Sequence, residues 1–191
     1  MQNFSLRNYL IYKFLNSLFG GVALGTIFTI YALLPPKIFS IGGIILALGA
    51  WILSFFYTQL LQTKPYKIIL TFMEILPFAY LLSYLLFPQT FYGALLVYGL
   101  YQIGFIFGDY LVRNETLIFH SKSFLSKIDK TRQIGYLGGL VLSFVFYFGL
   151  EQFGILLKES QVYCIHFLLL LLQCLVFITL IFSFKGNPCK T

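Results

Sequence analysis

Six apolar runs separated by short polar linkers constrain this chain more than any other feature of its sequence. Each run approaches the roughly 20 residues that an α-helix needs to cross about 30 Å of hydrocarbon. Lipid offers no partners to backbone polar groups, so runs of this kind must be helical. We therefore predict an all-α polytopic membrane protein, with residues 1–191 forming a single transmembrane domain, a six-transmembrane-helix bundle. The predicted spans cover approximately residues 9–34, 38–62, 66–87, 91–112, 134–150 and 162–184.

Composition agrees with this class and argues against others. Hydrophobic residues make up 59% of the chain and charged residues only 10%, against about 25% charged in an ordinary soluble domain. The net charge is +7, but the basic residues lie mostly in linkers, so we expect them to face lipid headgroups and not nucleic acid. The three cysteines, Cys164, Cys174 and Cys189, form no CxxC pair, so we predict neither a disulfide framework nor a metal site.

The distribution of lysine and arginine predicts the orientation. With the N-terminus inside, only Lys37 and Lys158 of the 13 basic residues fall on the outer side. Short loops are those in which basic residues mark the cytoplasmic side. The linker after the fourth span carries more charge than any other. We therefore expect both termini to be cytoplasmic, in a bacterial inner (plasma) membrane.

Glycines recur at spacings that allow helices to pack closely. Gly21 and Gly25 in the first span and Gly135 and Gly139 in the fifth form small-xxx-small pairs. Such pairs let two helix backbones approach each other. The same pattern suits fixed packing and the moving contacts of a transporter, and glycine is in any case common in membrane helices.

Three segments give the chain a family resemblance. They are FLNSLFGGVALGTIFTIYALLP in the first span, LLQTKPYKIIL across the second linker and SKIDKTRQIGYLGGL entering the fifth span. With six spans and basic linkers after the second and fourth, the chain resembles one six-helix half of a major facilitator superfamily transporter. The second linker keeps Lys64 and Lys67 but lacks the glycine and aspartate of the family pattern.

The resemblance implies a fold and a working unit. Each half of such a transporter contains two inverted three-helix repeats, and the substrate binds near the bilayer midplane. Spans one to three and four to six would be these repeats, and the first and fourth spans would line the cavity. Family members normally have two halves, so the resemblance also implies a second copy of this chain or a partner membrane chain.

Polar residues inside the spans are the candidates for contact with a substrate or a coupling ion, because each is costly in lipid. One face of the fourth span combines Tyr98, Gln102, Phe105, Asp109 and Arg113 at three- and four-residue intervals. Gln102, near mid-bilayer, is the first choice for a substrate contact, although a hydrogen bond to a neighbouring helix explains it as well. The full set of substrate or coupling candidates is Asn16, Tyr31, Glu74, Tyr98, Gln102 and His166.

Each remaining candidate has two interpretations. Glu74 would couple proton movement or pair with Lys13 or Asn16. Asp109 and Arg113, one turn apart near the inner surface, would form an inner gate or a plain interfacial ion pair. His166 would be a proton relay or a hydrogen-bonded packing residue.

Enzyme motifs are missing from the sequence. It contains no HExxH, no GxSxG and no GxxxxGK[ST]. We predict no enzymatic activity, no cofactor and no metal. The predicted function is a half-size secondary transporter of a small solute, working by alternating access as a homodimer or with a partner half. The alternative is a non-transporting membrane subunit: an assembly factor or an anchor of a larger membrane complex.

Overall fold

The computed structural model describes residues 4–185, and all regular secondary structure in this range is helical. Six of the helices are long and apolar enough to cross a membrane, which confirms the predicted six-helix integral membrane protein. The helices are α1 (Leu6–Tyr31), α2 (Pro36–Phe55), α3 (Tyr57–Leu60), α4 (Thr63–Leu86), α5 (Phe91–Phe119), α6 (Lys122–Gln152) and α7 (Lys158–Ser183).

Two helices are much longer than the spans predicted for them. α5 has 29 residues and α6 has 31, so they measure about 43 and 46 Å, well over the roughly 30 Å of hydrocarbon. The fifth span, predicted to be the shortest, lies in the longest helix. The charged sequence expected to be a linker stays helical, and the break falls at His120, whose φ is 44°, and at Ser121, whose hydroxyl accepts a hydrogen bond from the Phe124 N–H (3.4 Å).

The chain forms two compact units. The α1 unit comprises the described residues 4–30 and 121–185, and so contains α1, α6 and α7. The α5 unit comprises residues 31–120, and so contains α2, α3, α4 and α5. The division therefore groups spans one, five and six, and groups spans two, three and four; it does not separate spans one to three from spans four to six.

In the α1 unit, α1 packs against both other helices. It runs parallel to α6, because Phe14 meets Gly135 and, further along both helices, Gly25 faces Tyr147. It runs antiparallel to α7, since the backbone N–H of Ser5 donates to the carbonyl of Ser183 (2.8 Å). The described start of the chain and the end of α7 therefore lie at the same end of this unit.

The contact between α1 and α6 is backbone against backbone. A Cβ added at Gly21 would collide with the carbonyl oxygen of Tyr136, and one added at Gly139 would collide with that of Leu18. Gly25 is less tightly enclosed, with the Tyr147 ring 3.7 Å from an added Cβ. Both glycines of the Gly135–Gly139 pair thus lie in this close backbone contact between α1 and α6, the glycine seam, whereas only Gly21 of the Gly21–Gly25 pair does.

In the α5 unit, α5 packs against both α2 and α4. α2 and α5 run parallel, because Gly42 meets the Tyr98 ring near the start of α2 and Gly49 meets Ile106 two turns later. Helices separated by an odd number of membrane crossings must run parallel; one crossing separates α2 from α5, and three separate α1 from α6. The packing of α2 against α5, like that of α1 against α6, therefore agrees with helices that cross the membrane in alternating directions.

The glycine seam predicts a large difference between neighbouring glycines. Gly139→Ala should lower the free energy of unfolding by about 1–3 kcal/mol, as overpacking of a tight interface does, because its methyl group meets the Leu18 carbonyl. Gly138→Ala should leave stability unchanged or slightly raised, because an added Cβ there makes only an ordinary 3.9 Å contact with Leu18 and alanine favours helices. The measurement is the melting temperature in mild detergent.

A second pair provides the control on α1. Gly21→Ala should destabilise like Gly139→Ala, whereas Gly20→Ala should not, because nothing lies within 4 Å of a Cβ built at Gly20. Equal melting temperatures within both pairs would contradict the close packing of α1 against α6 at Gly21 and Gly139.

Candidate functional site

A cleft of about 250 Å³ lies between α2 and α5. Gln102 is 11 residues into α5, about 16 Å along its axis and therefore near the middle of the bilayer. The walls are apolar apart from Tyr98 and Gln102. The lining residues are Ile38, Ile41, Gly42, Ile45, Leu95, Tyr98, Gly99, Gln102, Ile103 and Ile106.

Gln102 brings an unsatisfied acceptor to this cleft. Its side-chain oxygen is buried and has no hydrogen-bond partner within residues 4–185. Buried polar atoms are nearly always paired, and an unpaired one costs about 1–3 kcal/mol. The amide oxygen can accept a hydrogen bond from a donor that enters the cleft.

Aromatic rings form a wall beside the cleft. The Tyr98 ring packs edge-on against Tyr31 (centroids 5.2 Å apart) and against Phe39 (5.4 Å). The Tyr101 ring lies 6.5 Å from Tyr31 and stacks on Tyr80 at 4.3 Å. Edge-to-face pairs of this kind hold rings in defined orientations. The wall therefore joins the end of α1 to α2, α4 and α5.

Two details of the wall bear on its chemistry. Gly42 makes room for the Tyr98 ring, because a Cβ at this position would collide with the Tyr98 hydroxyl. The Tyr31 hydroxyl is buried and, like the Gln102 oxygen, has no hydrogen-bond partner in the described part of the chain. The cleft and the aromatic wall beside it thus each hold one unsatisfied polar atom; a third in the α5 unit, the Asn114 side-chain oxygen, lies further along α5.

Glu74 joins this region from α4. Its side chain is only 5% exposed, and it lies close enough to Tyr80 to interact with it electrostatically. Tyr80 in turn shares a side-chain hydrogen bond with Tyr101. A buried carboxyl group is therefore linked through two tyrosines to the wall that contains Tyr31.

The predicted face of α5 does not lie in one environment. Tyr98 is buried and Gln102 half-buried, but Phe105, Asp109 and Arg113 are exposed. The Arg113 guanidinium lies over the Tyr57 ring, 5.3 Å from its centroid.

The cause is the crossing of α2 over α5. Their contact moves from Tyr98 to Ile106, which at 3.6 residues per turn is a rotation of about 80° around α5. At the far end α5 meets Leu60 of α3, the short helix that follows α2, at Asn114, which is rotated by about 160° from Tyr98. The face of α5 that contacts α2 at Tyr98 therefore no longer contacts it beyond Gln102.

Asn16 and His166 belong to the α1 unit. Asn16 is half-buried and engaged in a contact of its own. His166 is 2% exposed, and its Nδ1 lies 2.6 Å from the Val162 carbonyl one turn earlier. A carbonyl only accepts, so Nδ1 carries the hydrogen.

Sequence reasoning missed the polar anchor at the other end of α5. The chain breaks between α3 and α4, and the Tyr110 hydroxyl donates to the freed carbonyl of Leu60 (2.8 Å). The Asn114 amide donates to the carbonyls of Leu60 (3.2 Å) and Gln62 (3.3 Å). Tyr110 and Asn114 are both fully buried. Their spacing of one helical turn was the available signal, because it places two polar groups on one side of α5.

Tyr80 and Tyr101 were missed for a different reason. Aromatic residues make up 20% of the chain, so no single tyrosine stands out from the sequence.

Comparison with protein-family models, with curated proteins and with solved structures found no match for this chain. Within residues 4–185, no group of three or more His, Cys, Asp and Glu side chains is placed to hold a metal ion. Cys164 and Cys174 are free thiols, and Cys189 lies outside the described residues. Function must therefore be inferred from the cleft, the aromatic wall and the packing of the helices.

The anchor predicts a graded loss of stability. Asn114→Ala should lower the free energy of unfolding by about 1–3 kcal/mol, because it removes the side-chain hydrogen bonds to Leu60 and Gln62 from a fully buried position. Tyr110→Phe should cost about 1 kcal/mol, since it removes one hydroxyl and keeps the ring. Val112→Ala, on the exposed side of the same turn, is the control and should change stability by less than about 0.5 kcal/mol. A loss for Asn114→Ala no larger than the control's, in detergent melting, would contradict the anchor.

Proposed function

We propose that this chain is a half-size secondary transporter of a small solute, which works by alternating access as a homodimer or with a partner half. The observation that carries the proposal is the unpartnered Gln102 oxygen beside a cleft near mid-bilayer. Secondary transporters bind their substrates at this depth, between helices of their repeats. A donor on the solute would satisfy this oxygen, whose lack of a partner calls for an explanation.

The grouping of the helices supports the resemblance to a major facilitator superfamily half. Each unit has one helix that packs against the other two long helices: α1, the first span, and α5, the fourth. Exchanging spans one and four, two and five, and three and six converts one group into the other. Two inverted three-helix repeats would produce this correspondence.

A second half is part of the proposal. The cleft is bounded by α2, whose residues Ile41, Ile45 and Trp51 are more than half exposed. α2 also has small residues at Gly43 and Ala47, on a side that nothing in its unit covers. A second copy or a partner membrane chain packed over Ile41 and Ile45 would enclose the cleft, and one packed on Gly43 and Ala47 would meet the opposite side of α2.

We assign roles within this scheme as follows. Gln102, Tyr98 and Tyr31 contact the solute, and Glu74 serves coupling through Tyr80. Asp109 and Arg113 form an inner gate, because both lie exposed in the second half of α5. In the α1 unit, Asn16 and His166 are the residues that we assign to solute binding or coupling. Their further contacts would come from the α1 unit's own helices or from the second half.

The orientation is also a proposal. The described start of the chain and the end of α7 lie at one end of the α1 unit, and basic residues concentrate at that end. We propose that this end is cytoplasmic and that the membrane is a bacterial plasma membrane. No enzymatic activity forms part of the proposed function.

The alternative function is a non-transporting subunit that anchors or assembles another membrane protein. The exposed side of α2 with Gly43 and Ala47 favours it, because small residues on a membrane helix suit a helical partner. Under this alternative the cleft would be a packing site for a side chain of the partner.

Cysteine accessibility separates the two functions without knowledge of the solute. In a variant with Cys164, Cys174 and Cys189 replaced by serine, Gln102→Cys should react with a small membrane-impermeant methanethiosulfonate. Alternating access requires this reaction from both sides, in right-side-out and in inverted vesicles. Phe105→Cys, on the exposed side of the same helix, is the matched control and should react slowly, because lipid surrounds it. Reaction of Gln102→Cys from neither side would remove the proposed site, and reaction from one side only would rule out alternating access.

The mass of the purified particle tests the second half. We expect a detergent-solubilised dimer, or a complex with a partner chain, by light scattering during size-exclusion chromatography. A strict monomer of about the 22.0 kDa chain mass, with no partner after gentle extraction, would contradict the two-half transporter.

A further inference from the structure

A second cleft, of about 250 Å³, lies in the α1 unit between α1 and α6. It is lined by Ser17, Arg132, Gln133 and Tyr136. Each of these side chains carries at least one hydrogen-bond donor, and none carries a negative charge. In this it differs from the cleft beside Gln102, which has mostly aliphatic walls. A donor-rich, positively charged cleft suits an anion.

The cleft lies at the depth of a lipid headgroup. Arg132 precedes Gln152, the last residue of α6, by about 20 residues, or roughly 30 Å, the thickness of the hydrocarbon core. Ser17 lies closer to the bilayer centre, because its neighbours Phe14 and Leu18 meet Gly135 and Gly139. The cleft therefore runs from the headgroup boundary at Arg132 to the start of the hydrocarbon at Ser17.

The Arg132 guanidinium has N–H donors that its ion pair does not use. Its ion pair with Asp129 is 3.9 Å long, both side chains are well exposed at 43% and 72%, and they sit one turn apart on α6. An exposed pair of this kind contributes little, and the guanidinium carries five N–H donors in a planar fork that matches a phosphate. Lys122 and Lys127 lie on the same end of α6 and raise the local positive potential.

An apolar surface continues from the cleft along α6. Gln133 is followed at helical spacing by Leu137, Val141, Phe144 and Phe148, all of which are more than half exposed. An anion that carried acyl chains would place them along this surface. A free phosphate would make no use of it.

We infer that this cleft binds the headgroup of an anionic glycerophospholipid. The Arg132 guanidinium holds the phosphate, Gln133 and Tyr136 donate to its oxygens, and Ser17 donates to the ester oxygens below. The acyl chains lie on the Leu137–Phe148 side of α6. Basic clefts between membrane helices at the headgroup level recognise anionic lipids in this way. The inference is independent of the transport proposal, because it concerns a different cleft in a different unit.

The test is lipid retention by the full chain in nonionic detergent, measured by native mass spectrometry with equal amounts of phosphatidylglycerol and phosphatidylcholine. The wild type should retain phosphatidylglycerol preferentially. Arg132→Gln should weaken that retention about tenfold, the loss expected for one charge-assisted hydrogen bond. Ser17→Leu, which fills the cleft and changes no charge, should weaken it as well.

Lys130→Gln is the matched control, because it removes the same charge from an exposed position outside the cleft. It should retain phosphatidylglycerol within about twofold of the wild type, since an exposed charge contributes little. An equal loss in Lys130→Gln and Arg132→Gln would overturn the site in favour of diffuse attraction, and unchanged retention in Ser17→Leu would overturn the cleft as its location.

Inorganic phosphate distinguishes the two sources of the anion. It should neither displace phosphatidylglycerol at millimolar concentration nor raise the melting temperature as phosphatidylglycerol does. Displacement and equal stabilisation by phosphate would overturn the lipid assignment. Melting of each variant in phosphatidylcholine alone verifies that it is folded, so a loss of retention is not mistaken for unfolding.

Discussion

Inside hydrocarbon a polar group finds its hydrogen-bond partner within the protein or goes without one, and the helices of this chain are built around that requirement. The hydroxyl of Thr26 donates to the carbonyl of Ala23, and that of Ser183 donates to Leu180, both at 2.6 Å. His166 uses the carbonyl of Val162 in the same way. These bonds stay within one helix, so they satisfy side chains without fixing how helices pack. Packing is left to glycines, aromatic rings and the few polar groups that reach another helix.

Polar groups that reach across helices appear where the backbone itself is broken. At the interruption between α3 and α4, Asn114 and Tyr110 of α5 donate to the carbonyls of Leu60 and Gln62, which also accept backbone hydrogen bonds. The Gln102 oxygen and the Tyr31 hydroxyl have no partner in the described residues. Both lie in the α5 unit, one at the α2–α5 cleft and the other in the aromatic wall beside it. The Asn114 oxygen is unsatisfied as well, so it is the cleft beside Gln102, and not an unpaired oxygen alone, that makes this region the candidate for solute binding.

Part of this structure was accessible from the sequence. The six crossings follow from length and hydropathy, and the glycine spacings identified α1 and α6 as closely packing helices. The ends of the helices between spans four and five could not be predicted from the sequence, because hydropathy marks where a helix leaves lipid and not where the helix stops. Charged residues such as Arg113 and Lys127 are good helix formers, so both helices extend beyond the bilayer. α5 ends at His120, and α6 begins after Ser121.

The candidate site was predictable only in part, for a geometric reason. Periodicity identifies the side chains that share a face of α5, but it says nothing about the angle at which α2 crosses that face. Because the contact rotates around α5, Tyr98 and Gln102 lie at the cleft and Asp109 does not.

The character of the α2–α5 cleft limits what it could carry under the proposed function. Its walls are aliphatic and aromatic, with one amide acceptor near mid-bilayer, so a bound solute would gain mainly from burial of apolar area. Entering the cleft would cost the solute most of its hydration, and only one donor would regain a hydrogen bond at Gln102. A strongly hydrated ion would not recover that cost. The geometry therefore favours a largely apolar solute with a single donor, and any charge movement would have to run through Glu74 and the tyrosines at its side.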